Sequence, residues 1–203
     1  MGRILRITLV AAAFALAGFV NAAYADPVTN GEFGYPNSAN LNNWNTVGTF
    51  YDSLNGVVNG ITQLGGTTPT GNELQLGNDP GNGPAGVSQT LTTAAGQNYN
   101  LSLYWGTNAS NASGNELFQV LWDNAALENV TVTPSAQPWE QLSFSVRGTG
   151  SDTLTIQGYS YSGYNYVADI SGANSSIPEP CTLLLLGSGL AGLVGFRKKF
   201  QAA

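Results

Sequence analysis

Histidine is absent from this 203-residue chain, cysteine occurs once, and charged residues make up only 9%. That inventory removes imidazole acid–base pairs, Ser-His-Asp triads and His-ligated metals. A lone Cys181 cannot close an intrachain disulfide. Oxygen and aromatic surface remain. Residues 26–176 carry eleven carboxylates against a single cation, Arg147, for a net charge of −10. Paired carboxylates alone can hydrolyse glycosides, but these are scattered with no spacing that defines a pair. The serines sit in no Gly-x-Ser-x-Gly elbow, and nothing beside them would serve as a base. The chain therefore reads as non-catalytic. Carboxylates attract hard cations such as Ca²⁺. They repel phosphate backbones, which excludes nucleic acid as a partner, and they disfavour anionic membrane surfaces.

Aromatic rings offer the second kind of chemistry. Sugar rings stack on exposed aromatic faces while neighbouring amides fix the hydroxyls. The densest source is residues 159–166, Tyr-Ser-Tyr-Ser-Gly-Tyr-Asn-Tyr. This stretch crosses a glycine turn, so at least one ring reaches solvent. Tyr161, Tyr164 and Asn165 are the candidate ligand contacts, with Tyr51 and Trp139 behind them. A competing reading makes the stretch a hairpin that closes the edge of the fold. Trp105 and Trp122 alternate with apolar neighbours and belong to a core, as does Trp44.

These groups need strands to place them. Residues 99–105 alternate, with Leu101, Leu103 and Trp105 on one face. Residues 139–147 do so more clearly: Leu142, Phe144 and Val146 point one way, Gln141, Ser143, Ser145 and Arg147 the other. Leu154 and Ile156 face inward around threonines. Residues 117–122 are nearly all apolar, as in a strand covered on both faces. Residues 72–76, 87–92 and 130–133 are shorter candidates. Gly/Asn/Pro clusters separate them. Short strands with regular turns predict an all-β sandwich with no helix in the body. The string Gly-Asn-Glu-Leu occurs at 71–74 and again at 114–117, a turn-to-strand entry used twice.

Both ends have a different character. Arg3 and Arg6 precede an uncharged apolar stretch, and Ala23-Tyr24-Ala25 is a small-x-small cleavage site. Residues 1–25 thus read as a signal peptide. At the other end, Pro178-Glu179-Pro180 precedes an apolar run from 181 to 196, followed at once by Arg197, Lys198 and Lys199. As a helix that run rises about 24 Å, a little short of a ~30 Å hydrocarbon core. The basic cluster holds its end in the cytoplasm. The three parts in this order resemble the PEP-CTERM sorting signal of Gram-negative bacteria. The resemblance implies an exosortase-type processing enzyme as partner and an exported protein. It would be anchored briefly in the inner membrane by one C-terminal helix, then released to the cell surface or extracellular matrix. The expected division is 1–25 signal peptide, 26–176 β-sandwich domain, and 177–203 sorting signal.

The body has a resemblance of its own. Asn30-Gly31-Glu32-Phe33 with Leu41-Asn42-Asn43-Trp44, then Val87-Ser88-Gln89-Thr90-Leu91 with residues 95–103, then Val167-Ala168-Asp169-Ile170, resemble jelly-roll carbohydrate-binding and galactose-binding-like domains. The resemblance implies a jelly-roll-type β-sandwich and, in many members, a structural Ca²⁺ tying the first strand to the last. Here Asp169 is the closing position that survives, and Glu32, beside the Phe, points to the same end of the sandwich as a second candidate ligand. Gly34 stands where the family carries its main Glu, and Ala168 where it carries the first closing Asp. Together these readings point to non-catalytic association with extracellular polysaccharide or neighbouring surface components. The alternative is a structural coat or biofilm-matrix protein with no sugar ligand. Ice or mineral association is a minor third reading.

Overall fold

The computed structural model describes residues 26–50, 55–77, 79–110, 116–131 and 136–174. The expected signal peptide, Tyr51 and the sorting tail with its apolar run lie outside them. The described residues all fall in one compact unit, Ala25–Ser176. No helix among them is long and apolar enough to cross a membrane.

Period-two alternation builds the strands. They are β1 (Asn45–Val47), β2 (Asn55–Val58), β3 (Glu73–Leu76), β4 (Ala85–Thr92), β5 (Asn98–Thr107), β6 (Glu116–Trp122), β7 (Ala125–Thr131), β8 (Gln137–Arg147), β9 (Ser151–Ser160) and β10 (Asn165–Asn174). Among the described residues, a 3-10 turn at Pro80–Asn82 is capped by the Asp79 carboxylate. One sheet has the order β1-β4-β9-β6-β7 and the other β2-β3-β10-β5-β8, with every strand pair antiparallel. We call them the first and second sheets. The molecule is an all-β, jelly-roll-type sandwich.

Inward-facing positions of both sheets make the main core. Leu101, Leu103 and Trp105 of β5 and Val167 of β10 meet Phe118 and Val120 of β6 and Leu154 and Ile156 of β9. The Trp105 and Phe118 rings stack across the sheets, with centroids 5.3 Å apart. Leu142, Phe144 and Val146 of β8 pack on this core and alternate with exposed Gln141, Ser143, Ser145 and Arg147. Strand β6 corrects one expectation. Only Glu116, Phe118, Val120 and Trp122 are buried, while Leu117, Gln119 and Leu121 are half-buried. Its apolar run reflects partial cover on the outer face, not a strand enclosed on both. Strands β1 and β2 carry no sequence signal of their own. Each takes its place by pairing with a better-defined neighbour, β4 and β3 respectively.

Residues 26–31 are held against the last described strand. Gly31 approaches Ile170 so closely that a Cβ there would lie 1.8 Å from the Ile170 carbonyl oxygen. The Ile170 N–H donates to the Gly31 oxygen at 3.1 Å. The Asp26 carboxylate accepts from Gly172 N at 2.9 Å and from the Ser171 hydroxyl at 2.7 Å.

A second carboxylate fixes the turns at 93–97 and 148–150. Asp152 is fully buried and accepts from the Thr93 hydroxyl, from Thr149 N and from the Thr149 hydroxyl. Burial alone would push its carboxyl up. The hydrogen bonds outweigh burial and hold it below the usual aspartate value. In the unfolded chain this group titrates in the ordinary range, near ~3.9. Its contribution is therefore complete above that range and is lost as pH falls through the depressed folded value. Asp152→Asn should lower the urea midpoint at neutral pH. The gap from wild type should shrink as the solution is acidified, read from unfolding curves across the acid limb.

Candidate functional site

The outer face of the second sheet is unusually aromatic. Register sets Glu73 beside Ala168, Ala168 beside Tyr104, and Tyr104 beside Gln141. Along one position, Gln75 lies beside Tyr166 and Tyr166 beside Gly106. Trp139, Tyr166 and Ala168 form a second buried cluster, with Tyr104 and Tyr164 partly covered against it. The rings run in a row: Trp139 to Tyr166 at 6.3 Å and Tyr166 to Tyr164 at 6.0 Å between centroids, both tilted.

A strap, residues 61–66, covers this row. Ile61 and Leu64 pack on the cluster, and Leu64 presses on Gly106, where a Cβ would come within 2.7 Å. The Trp139 indole N–H donates to the Thr62 oxygen at 2.8 Å, and Trp139 N to the Gly65 oxygen at 3.0 Å. Below the strap, Glu73 accepts from Thr62 N at 2.8 Å and from the Thr62 hydroxyl at 2.5 Å. Gln75 adds a weaker bond at 3.3 Å. Burial, then the Glu73 charge, push the Tyr166 phenol above its usual value. Trp139 thus serves the strap and does not face solvent.

The aromatic row reaches the surface at the β9–β10 turn. Tyr161 is 62% exposed, the most exposed of the large apolar side chains that the structure describes. Tyr164 is half-buried against Tyr166. Asn108 fixes the turn: its side-chain oxygen accepts from Tyr164 N at 2.8 Å and its amide donates to the Tyr166 hydroxyl at 2.8 Å. Ser110 N donates to the Ser162 oxygen at 3.2 Å. A Cβ on Gly163, at φ 130°, would lie 2.6 Å from the Asn108 oxygen, so glycine is needed there.

Asn165 departs from the sequence expectation. It is fully buried. Its oxygen accepts from the Trp105 indole at 3.2 Å, and its amide donates to the Leu117 and Tyr159 oxygens at 3.3 and 3.2 Å. It ties one sheet to the other and has no face left for a ligand.

Glu32 and Asp169 come to one pocket of about 380 Å³, also lined by Asp26, Asn30, Tyr35 and Ser171. Asp169 has a left-handed backbone, φ 53°, at the register shift between Ala168 and Ser171. The Asp26 oxygens are committed to Val28, Ser171 and Gly172. The Glu32 and Asp169 carboxylates have no hydrogen-bond partner among the described residues. No three acidic, His or Cys side chains among those residues are grouped to hold a metal. Hard oxygen donors suit Ca²⁺, but an ion here would draw on backbone carbonyls and water for most of its shell.

Sequence reasoning missed the strap and Glu73. The signal available was the repeated Gly-Asn-Glu-Leu string. Glu73 and Glu116 each open a strand and are each buried. Glu116 meets the Ser160 hydroxyl at 3.3 Å, has one oxygen unpartnered, and is pushed up by burial.

Residues 176–199 match the PEP-CTERM protein-sorting motif. The chain carries the C-terminal sorting signal of an exported protein. No curated protein matches it significantly. Similar solved structures include a family 61 carbohydrate-binding module in complex with β-1,4-galactotriose, 13% identical, covering 75% of this chain and 100% of that one, with TM-score 0.49. Another is the C-terminal family 22 carbohydrate-binding module of Clostridium thermocellum Xyn10B, at 13%, 78%, 98% and 0.47. The enzymatically active domain of bacteriophage CBA120 tailspike protein 4 is 15% identical over 73% of this chain, with TM-score 0.46, and the match spans 21% of the tailspike chain.

Replacing Asn165 by Leu strands the buried Trp105 indole N–H and removes the bonds to the part-buried Leu117 and Tyr159 oxygens. Each unpaired buried group costs about 1–3 kcal/mol. The variant should lose roughly 3 kcal/mol or more in urea unfolding, a shift that a surface ligand contact would not produce.

Proposed function

We propose that the protein is a non-catalytic component of the cell exterior that associates with extracellular polysaccharide through the β9–β10 turn. The observation that carries this reading is the pairing of exposed Tyr161 with half-buried Tyr164 on a turn held by Asn108. Rigid, amphipathic rings at a fixed turn suit the apolar face of a sugar. Sorting by the C-terminal signal would bring that turn into contact with surface glycans. On this reading an exosortase-type enzyme recognises Pro178-Glu179-Pro180 and removes the tail, with Arg197, Lys198 and Lys199 holding it in the membrane until then. The net charge of −10 on residues 26–176 favours neutral polysaccharides over acidic ones.

Affinity electrophoresis against the host's own polysaccharides tests this. Tyr161→Ala and Tyr164→Ala should each weaken retardation about tenfold, roughly 1.4 kcal/mol. Unchanged retardation in both variants would sink the assignment of the turn.

Ca²⁺ belongs to the same proposal as an accessory tie at Glu32 and Asp169. Adding Ca²⁺ to chelator-treated protein should raise the thermal midpoint, and Asp169→Asn should abolish the rise. A midpoint indifferent to Ca²⁺ leaves the tie to Asp26 and the Gly31–Ile170 backbone bond.

A further inference from the structure

Four strands end the two sheets: β1 and β7 in the first, β2 and β8 in the second. An exposed sheet edge is a template for another strand, and proteins blunt it by shortness, bulges or mid-strand charge. Strand β1 has three residues and β2 four. Strand β7 has Glu128 in its middle and a register shift opposite Val120 and Leu121. Strand β8 has eleven residues, the longest of the ten. Its start is occupied, because Trp139 N bonds to Gly65 and pairs with the strap. From Glu140 to Arg147 it pairs with β5 on one side, and no described residue pairs with it on the other. Between those two charges lies no proline, bulge or charged side chain.

The sequence of this segment adds a second observation. Residues 141–147 read Gln-Leu-Ser-Phe-Ser-Val-Arg, near-palindromic about Phe144. An antiparallel pair of two such strands, centred on Phe144, matches like with like. Ser143 faces Ser145, Leu142 faces Val146, and Phe144 faces itself. Gln141 faces Arg147, so no like charges oppose. Shifting by one residue would set the apolar face against the polar one, which the period of two forbids. Glu140 falls opposite Gly148, one position from the partner strand's only cation. Leu142 and Phe144 are only half-buried in the single chain, so a second strand would cover apolar surface that is still wet.

We propose that the outer edge of β8 is a homodimerisation surface, pairing antiparallel with the β8 of a second copy about a two-fold axis at Phe144. The two second sheets then join into one continuous ten-stranded sheet. The pairing leaves both β9–β10 turns outside the interface, so its test is independent of the sugar-binding reading.

Disulfide trapping in the full-length protein reads the register. In a Cys181→Ala background, Ser143→Cys and Ser145→Cys chains are mixed and mildly oxidised. Directly opposite residues lie about 4.5–5.5 Å apart at Cα, within disulfide reach. Residues two positions off lie about 7–8 Å apart, at or beyond its limit. The mixed 143–145 dimer should therefore dominate over either homodimer. Sedimentation velocity supplies the second arm. Wild type should form a concentration-dependent dimer, and Ser143→Lys with Ser145→Lys, both on exposed positions, should return it to monomer. A wild-type monomer at every concentration, a dimer indifferent to the two lysines, or homodimers as abundant as the mixed species would overturn the proposal.

Discussion

The buried amide of Asn165 is the constraint on which the candidate site depends. A sandwich of two sheets is held mainly by non-directional apolar contact, which sets the spacing but not the alignment of one sheet over the other. Asn165 supplies direction. It starts β10 in the second sheet and reaches Leu117 and Tyr159 in the first. Inside the core such bonds are costly to leave unmade, so the alignment they set is steep. The turn that precedes Asn165 therefore leaves the sandwich at a fixed place, and Asn108 grips it from the side. Of the four residues before Asn165, Tyr164 turns inward onto Tyr166 and Tyr161 is left facing solvent.

The strap explains why so aromatic a face yields so small an open surface. Trp139, Tyr166 and Tyr104 would together make a broad apolar patch on a chain with few charges to offset it. Thr62 prevents this by bonding at once to the Trp139 indole and to both oxygens of Glu73. A carboxylate under a loop is expensive unless hydrogen-bonded. Thr62 supplies two of the three bonds that satisfy Glu73, so the buried carboxylate and the strap hold each other. The open part of the row is then its last ring, Tyr164, with Tyr161 beyond it.

Legibility in the sequence follows the same physics. Strand β8 alternates cleanly because one face is packed and the other is wet, and β5 and β9 keep the same alternation of residue type although their outer faces are partly covered. Strands β1 and β2 are short edges that contribute little to the core, so nothing in their residues announces them. Within the site, Tyr161 was legible because a glycine turn must expose something. Asn165 was not, since one amide reads the same whether it faces water or spans two sheets. The strap was illegible for a further reason. Ile61, Thr62 and Leu64 lie among turn-like neighbours, and their partners Glu73 and Trp139 are distant in sequence. Only the repeated Gly-Asn-Glu-Leu hinted that a carboxylate could open a strand from a buried position.

The charge distribution links these local devices to life outside a cell. Solubility ordinarily rests on interspersed lysines and acids, yet residues 26–176 contain no lysine and one arginine. The −10 net charge keeps copies apart at long range, and this repulsion decays within ~8 Å at physiological salt. At contact, short-range forces decide, and the molecule offers hydroxyls, amides and backbone where other proteins offer ions. Neutral polyols and other β edges need only matched hydrogen bonds and a little apolar cover. Lysine is the residue most used to spoil an exposed sheet edge. Residues 26–176 lack it, and among the described residues the outer edge of β8 past Trp139 carries no such guard between Glu140 and Arg147.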